Sequence, residues 1–464
     1  MKSVALHNLG CKVNSYEMDV MSQKLQEKGY TIVPFDAQAD VYVVNTCSVT
    51  NIADRKSRQM LHQAKKRNPQ AVVVATGCYV QTGTELLEKD LCVDLLIGNQ
   101  KKNEIAEILE EYFREKGKRT GEETAAEDKT LQGETVTDIA LDPTYDEMQL
   151  EHISSHTRAY IKIQDGCSQF CSYCIIPYAR GRVRSRREED ILKEVITLTG
   201  QGCLEIVITG IHISSYGVDW EKAEEERPDQ IFHEEKLIHL LRELDQVKNL
   251  KRIRLGSLEP RIMTETFVQE LTGIQKLCGH FHLSLQSGSD ETLRRMNRHY
   301  TTAEYLEGVK RLRTYFSHPA ITTDVIAGFP GETESEFDET RKFIRQIGFY
   351  ELHVFSYSVR QGTRAAEMKD QISDMVRKKR SEELLQIAEK QSHLYRESML
   401  SRPAEVLLEE EKSINGEKYQ VGYSPEYIRC AIQAGENIRH GEIVTGTLKR
   451  FLERDLILLD RGQF

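Results

Sequence analysis

The stretch Gln164-Asp165-Gly166-Cys167-Ser168-Gln169-Phe170-Cys171-Ser172-Tyr173-Cys174-Ile175-Ile176-Pro177 sets three cysteines just past an apolar run, RAYIKIQ at 158–164. Thiolates this dense are soft donors suited to zinc or to iron–sulfur chemistry. A structural zinc site closes with a fourth ligand, and no Cys or His follows nearby. A ferredoxin run needs a fourth Cys followed by Pro, whereas Ile176 precedes Pro177 here. Three ligands on a four-iron cluster leave one iron open, and an open iron can chelate a substrate.

The run at 158–164 is the first of six. LEIVITG (204–210), RIRLG (252–256), HFHLSLQ (280–286), ITTDVIAG (321–328) and ELHVFSY (351–357) follow, with helical stretches at 187–200, 234–247, 303–316 and 333–347. Six βα units predict an open, partial (β/α)6 barrel whose active site lies at the strands' C-terminal ends. On the N-terminal side, VALHNLG, DVYVVNT, AVVVATG and VDLLIG alternate with amphipathic segments at 15–29, 51–68 and 81–89, which predicts a small parallel-sheet α/β domain. Residues 115–151 are acidic and aromatic-poor and read as a mobile linker with room for short structured pieces. Residues about 381–400 read as helical, and five short β-like runs follow from 402, as in a small β-barrel. The expected division is 1–114, linker 115–151, core 152–383 and C-terminal domain 386–454 with an extension to 464.

A second cysteine set obeys one rule. Cys11 follows VALHNLG, Cys47 follows VYVVNT and Cys78 follows VVVATG, each just past the C-terminal end of a predicted strand. In a parallel sheet those ends share one side, where open α/β sheets hold ligands. Three thiols 36 and 31 residues apart can therefore meet. Cys92, Cys203 and Cys278 precede strands and Cys430 lies inside the β tail, positions that fit packing instead.

Charged residues are 29% of the chain, hydrophobic ones 39%, and the net charge is -10. That opposes a general polyanion binder but leaves room for a local basic surface that holds RNA. No apolar run approaches the roughly 20 residues of a membrane span. The start MKSVALHNLGC has neither a basic nor a long apolar segment of a secretion signal, so a cytoplasmic protein is expected, with its ten cysteines as ligands, catalytic thiols or core rather than disulfides.

The CxxxCxxC spacing after the first strand of six βα units resembles the radical S-adenosylmethionine (SAM) superfamily. The resemblance implies that the open iron of the Cys167–Cys171–Cys174 cluster binds the amino and carboxylate groups of SAM and that one electron cleaves it to a 5′-deoxyadenosyl radical. It also implies cofactor contacts: Tyr173 near the adenine, Thr209 and Gly210 at the amino group, Ser284 and Gln286 near the ribose, Asp324 and Gly328 at the adenosyl part. Each is equally explicable as strand-end chemistry.

LGCKVNSYE (9–17), VNTCSVT (44–50), TGCY (76–79), CSQFCSYCIIPYARGRVRSR, SLQSGSD (284–290) and GFPGET (328–333) together resemble the methylthiotransferases of that superfamily, across an N-terminal methylthiotransferase domain, a radical SAM core and a C-terminal TRAM-like β-barrel. The resemblance implies a second 4Fe–4S cluster on Cys11, Cys47 and Cys78 that carries the sulfur to be transferred, and two SAM molecules per turnover. The Lys-Val-Asn-Ser-Tyr-Glu context after Cys11 resembles the branch acting at C2 of N6-threonylcarbamoyladenosine beside the tRNA anticodon. The alternatives are isopentenyladenosine in tRNA and a ribosomal-protein Asp. The implied partners are tRNA, an electron donor such as flavodoxin or ferredoxin and a sulfur donor, with no membrane.

Arg180, Arg182, Arg184, Arg186 and Arg187 crowd the stretch after the triplet. They read either as a solvated loop or, as favoured here, as phosphate contacts or charge support for cluster and cofactor, with Arg180, Arg182 and Arg184 on one side of an extended strand. The tail 402–464 holds eleven acidic and nine basic side chains, which on charge alone is no RNA binder. Arg439, Lys449, Arg450 and Arg454 on one face, and Tyr419, Tyr423 and Tyr427 as stacking platforms, would make it one.

Overall fold

In the computed structural model, which describes residues 2–118, 135–139, 144–152, 157–220, 232–435 and 438–462, the Val-rich runs are strands buried on both faces. Such runs suit a parallel sheet covered by helices. Strands β1 (Ser3–Asn8), β2 (Thr31–Val33), β3 (Val41–Thr46), β4 (Val72–Gly77) and β5 (Leu95–Ile97) form it in the order β2-β1-β3-β4-β5, every pair parallel. Helices Lys12–Glu27, Asn51–Arg67 and Cys78–Glu88 leave the ends of β1, β3 and β4, so the three cysteine loops share one edge.

The core carries β6 (Arg158–Asp165), β7 (Arg184–Ser185), β8 (Glu205–Gly210), β9 (Arg252–Leu255), β10 (Ser257–Leu258), β11 (His280–Leu283), β12 (Ala320–Ala327) and β13 (Glu351–Ser356). They form two sheets, β7-β6-β8-β9 and β10-β11-β12-β13, with the chain passing between them at Gly256. All pairings are parallel except the short antiparallel β6–β7. This is the open six-unit barrel expected. Two of its outer helices start on capping boxes, Thr301 with Glu304 and Thr333 with Glu336.

Strands β14 (Pro403–Ile414), β15 (Glu417–Tyr423), β16 (Arg429–Gln433), β17 (Ile443–Glu453) and β18 (Leu456–Asp460) close a barrel in the order β14-β15-β16-β18-β17. It sits at the N-terminal ends of the core strands. There Arg252 donates to the Glu405 and Tyr423 carbonyls (2.8 and 2.9 Å), and Arg254 to those of Ser424 and Pro425 (3.2 and 2.8 Å). This arrangement corrects the expectation for the tyrosines. Tyr423 and Tyr427 stack on each other at 4.9 Å, Arg158 lies 5.1 Å over both rings, and Tyr419 is buried. Their faces serve the domain contact, so they are no free platform for bases. Of the C-terminal cations, Lys449 pairs with Asp460 and Arg454 with Glu389.

Within 115–151, the described stretches 135–139 and 144–151 are packed pieces. Met148 and Leu150 are buried, Tyr16 donates to the Met148 carbonyl (2.5 Å), and the Leu150 amide donates to Glu194 (2.6 Å). The rest of that segment, apart from the end of helix Ile105–Lys118, lies outside the described residues.

Candidate metal centre and cofactor cleft

Cys11 caps the N-terminus of helix Lys12–Glu27 and Cys78 opens helix Cys78–Glu88. The backbone admits no looser arrangement. Gly77 has φ +101°, and a Cβ there would stand 2.4 Å from the Thr46 carbonyl oxygen. Gly10, at φ +131°, would put one 3.2 Å from the Cys47 Cβ and 2.8 Å from Asn14 Nδ2. Burial, then the neighbouring Cys78 and Cys11, push the Cys47 thiol up to about 11. Cys11 keeps exposed surface, yet desolvation of its thiol raises it too, against the opposing pull of Arg180.

The second triplet lies in the loop after β6. The Cys167 amide donates to the Gly181 carbonyl (3.0 Å) and the Cys174 amide to that of Cys171 (2.9 Å). A Cβ on Gly166, at φ +70°, would stand 1.8 Å from the Arg182 carbonyl oxygen. Arg298 donates to Cys171 Sγ at 3.2 Å and is held by Glu259, also at 3.2 Å. Burial, then the Cys171 charge, raises the Cys174 thiol to about 12, and Cys78 of the other triplet adds to that rise. The N-terminal domain and the loop that follows the second triplet meet directly: Arg180 reaches Cys78 Sγ (3.3 Å), and Asn99 donates to the Ala179 carbonyl (2.7 Å).

At this contact Arg180 is fully buried. It donates to Cys78 Sγ (3.3 Å), Glu17 (2.7 and 3.0 Å), Asp165 (3.1 and 3.2 Å) and Asn14 (2.6 Å). Lys102 and Lys162 also reach Glu17, at 2.5 and 3.1 Å. Burial alone would raise the Glu17 carboxyl, but Arg180, Lys102 and Lys162 outweigh it and hold it well below its usual value. The arginine run is thereby corrected. Arg180 ends a short helix, Ile176–Arg180, and only Arg184–Ser185 is strand. Arg180, Arg184 and Arg186 are buried, which removes them from contact with RNA phosphates, while Arg182 and Arg187 are exposed. Arg182 lies 4.3 Å over the Phe170 ring, and Arg186 pairs with Glu194. Charge support beside the cysteines is what the geometry of Arg180 provides.

The residues named for the cofactor divide. Tyr173, Gln286 and Asp324 line one cleft of about 220 Å³ with Val49, Thr50 and Phe355, at the seam of the N-terminal domain and the core. Gln286 holds φ +68°, and its amide donates to the Asp324 carbonyl (2.9 Å). Thr209 and Gly210 end β8. A Cβ on Gly210 would stand 2.9 Å from Gln164 Oε1. Ser284 contacts Ser257 (3.3 Å). Gly328, at φ +73°, turns away under Arg377, and its amide donates to Glu332 (2.9 Å). Arg360 clips the rim of the cleft, bonding Ser48, Asn51 and Asp54 beside Cys47 (2.6 to 2.9 Å).

The donor sets suit clusters better than single ions. Thiolates around one zinc at about 2.3 Å would lie within about 4 Å of each other. Among the described residues, the ligand groups that converge within 4.8 Å are elsewhere, so neither triplet is drawn in that tightly. The charged partners Glu17, Lys102, Lys162, Glu259 and Arg298 were not foreseen. Glu17, at helical spacing from Asn14, left a faint signal, and Arg298 none.

Residues 161–344 match the model of the radical SAM superfamily, and residues 3–98 that of the uncharacterized protein family UPF0004. The threonylcarbamoyladenosine tRNA methylthiotransferase MtaB of Bacillus subtilis (strain 168) is 38% identical over 440 residues, 94% of this chain and 92% of the relative. The tRNA-2-methylthio-N(6)-dimethylallyladenosine synthase of Desulfitobacterium hafniense (strain Y51) is 34% identical, covering 88% and 86%. In fold, the chain is similar to the radical SAM methyltransferase TsrM of Kitasatospora setae, solved with tryptophan and a SAM analogue: TM-score 0.54, 17% identity, 76% of this chain and 73% of that one.

Proposed function

Because this chain belongs to the radical SAM methylthiotransferase family, we propose that it inserts a methylthio group at C2 of N6-threonylcarbamoyladenosine in tRNA. The observation that carries the reading is that Arg180, from the stretch after the Cys167/Cys171/Cys174 triplet, bonds Cys78 Sγ of the Cys11/Cys47/Cys78 set at 3.3 Å. When bound, two 4Fe–4S clusters and SAM supply a carbon radical and the sulfur to be transferred.

The chain's own residues position and protect that chemistry. Cys11, Cys47 and Cys78 hold one cluster, and Cys167, Cys171 and Cys174 the other. Arg180 and Arg298 lend positive charge to Cys78 and Cys171. Tyr173, Gln286 and Asp324 offer a cleft wall for SAM, with Thr209, Gly210, Ser284 and Gly328 at neighbouring strand ends. The exposed apolar side chains Val49 and Phe355 give a base a dry surface. Holding both reactants in one closed seam replaces diffusion for a species too reactive to release. The C-terminal barrel is a TRAM-like unit, and a flavodoxin or ferredoxin supplies the electron in the cytoplasm.

Deleting the gene tests the reading. Mass spectrometry of tRNA digests should lose 2-methylthio-N6-threonylcarbamoyladenosine and regain it on complementation. An unchanged mark, in a cell with no second such enzyme, would end the assignment. Loss of the dimethylallyl or ribosomal mark instead would redirect it.

A further inference from the structure

On one face of the core sheet, three side chains from three neighbouring strands converge. His282 (β11), Asp324 (β12) and His353 (β13) each offer a ligand atom, all within 4.8 Å of one another. The register makes this no accident of rotamers. Asp324 lies directly opposite His353, and His282 opposite Thr322, so all three share one face of the sheet. Ile326 and Phe355 belong to the same face and line the cofactor cleft, which puts the group at the cleft's floor.

The imidazoles are oriented for coordination. His282 Nδ1 lies 3.0 Å from Thr322 Oγ1, which also contacts His280 Nε2 at 3.2 Å. That outer hydroxyl fixes the ring and leaves Nε2 turned to Asp324 Oδ2, 3.3 Å away. His353 is exposed, stacks on His282 with centroids 5.9 Å apart, and has no hydrogen-bond partner among the described residues. A second convergent group, His62, Asp90 and Cys92, is closed by a 2.7 Å His62–Asp90 pair on the outer surface.

We propose that His282, Asp324 and His353 form a divalent-cation site in the core lumen. Two imidazoles and one carboxylate on one side of an ion are the donor set that Mn2+, Fe2+ and Zn2+ accept while keeping positions open. One carboxylate leaves the bound ion with net positive charge, so those positions take an anionic oxygen, a carboxylate or phosphate, arriving through the cleft.

Mn2+ is the probe, since thiolates select softer metals and the ion leaves the cysteines alone. It is titrated into protein carrying both clusters, oxidised and EPR-silent, and the six-line signal of free Mn2+ is followed. A single Mn2+ per chain should bind, weakened by about tenfold or more in His353→Ala and Asp324→Asn. His353→Asp, which restores an oxygen donor, should recover binding, and His62→Ala should not change it. No bound Mn2+, or binding untouched in His353→Ala, overturns the site. The readout is independent of methylthio transfer, so its failure leaves the proposed function standing.

Discussion

Arg180 shows how charge is arranged around the first cysteine set. Four buried cations (Arg180, Arg184, Lys102 and Lys162) surround two buried carboxylates, Glu17 and Asp165. The surplus is positive, and one of its members, Arg180, bonds Cys78 Sγ. Removing one partner of a buried ion pair costs about 3–5 kcal/mol. Arg180→Met should therefore lower the unfolding free energy by roughly 3 kcal/mol and reduce iron retained by Cys11, Cys47 and Cys78. Arg180→Lys keeps the charge but loses the planar fork that spans Glu17 and Asn14. It should recover iron more fully than stability. Denaturation curves and iron assays measure the two effects separately, and unchanged iron in Arg180→Met would remove the charge-support role.

At the scale of elements, the segment 144–150 is a strap read poorly from sequence because its anchors are isolated. Met148 and Leu150 are two apolar side chains in an acidic run, and their partners lie on other elements. Asp146 in the same strap has Oδ2 buried without a hydrogen bond, and burial raises its carboxyl to about 7. In the unfolded chain it titrates near 3.8. Below about pH 4 both states carry the proton. Between there and pH 7 only the unfolded chain releases it, so stability falls as pH rises through that window. Asp146→Asn should gain on the parent by roughly 3 kcal/mol at pH 8 compared with pH 4.5, read from urea midpoints. A pH-independent difference would show that the carboxyl is hydrated. Elements with a full period were legible: β1, β3, β4, β6, β8 and β12 are apolar runs of six to eight residues. β2, with three residues, and β7, with two, hold too little chain for any period. Cysteines at strand ends stood out for the same reason. Arg298 and Glu259 did not, since only the folded barrel brings them to Cys171.

For the molecule as a whole, two sheets point their C-terminal edges at one seam while the closed C-terminal barrel occupies the far end of the core. Each cysteine set is held by its own backbone. Cys11, Cys47 and Cys78 depend on β1, β3 and β4 and on the tight approaches at Gly10 and Gly77. Cys167, Cys171 and Cys174 depend on the loop after β6, which is tied to Gly181 and, through Ser172, to Met296. Among the described residues, the side chain that bonds a thiol of one set while belonging to the other unit is Arg180. Independent scaffolds predict separable iron. Anaerobically reconstituted protein should hold about eight irons, as two four-iron clusters require. Changing Cys11, Cys47 and Cys78 to Ala should leave about four, with SAM still cleaved to 5′-deoxyadenosine but no methylthio product. Changing Cys167, Cys171 and Cys174 should also leave about four, with no cleavage at all. Iron lost entirely from either variant would make the two sets one cooperative centre, and the division of labour between them would fall.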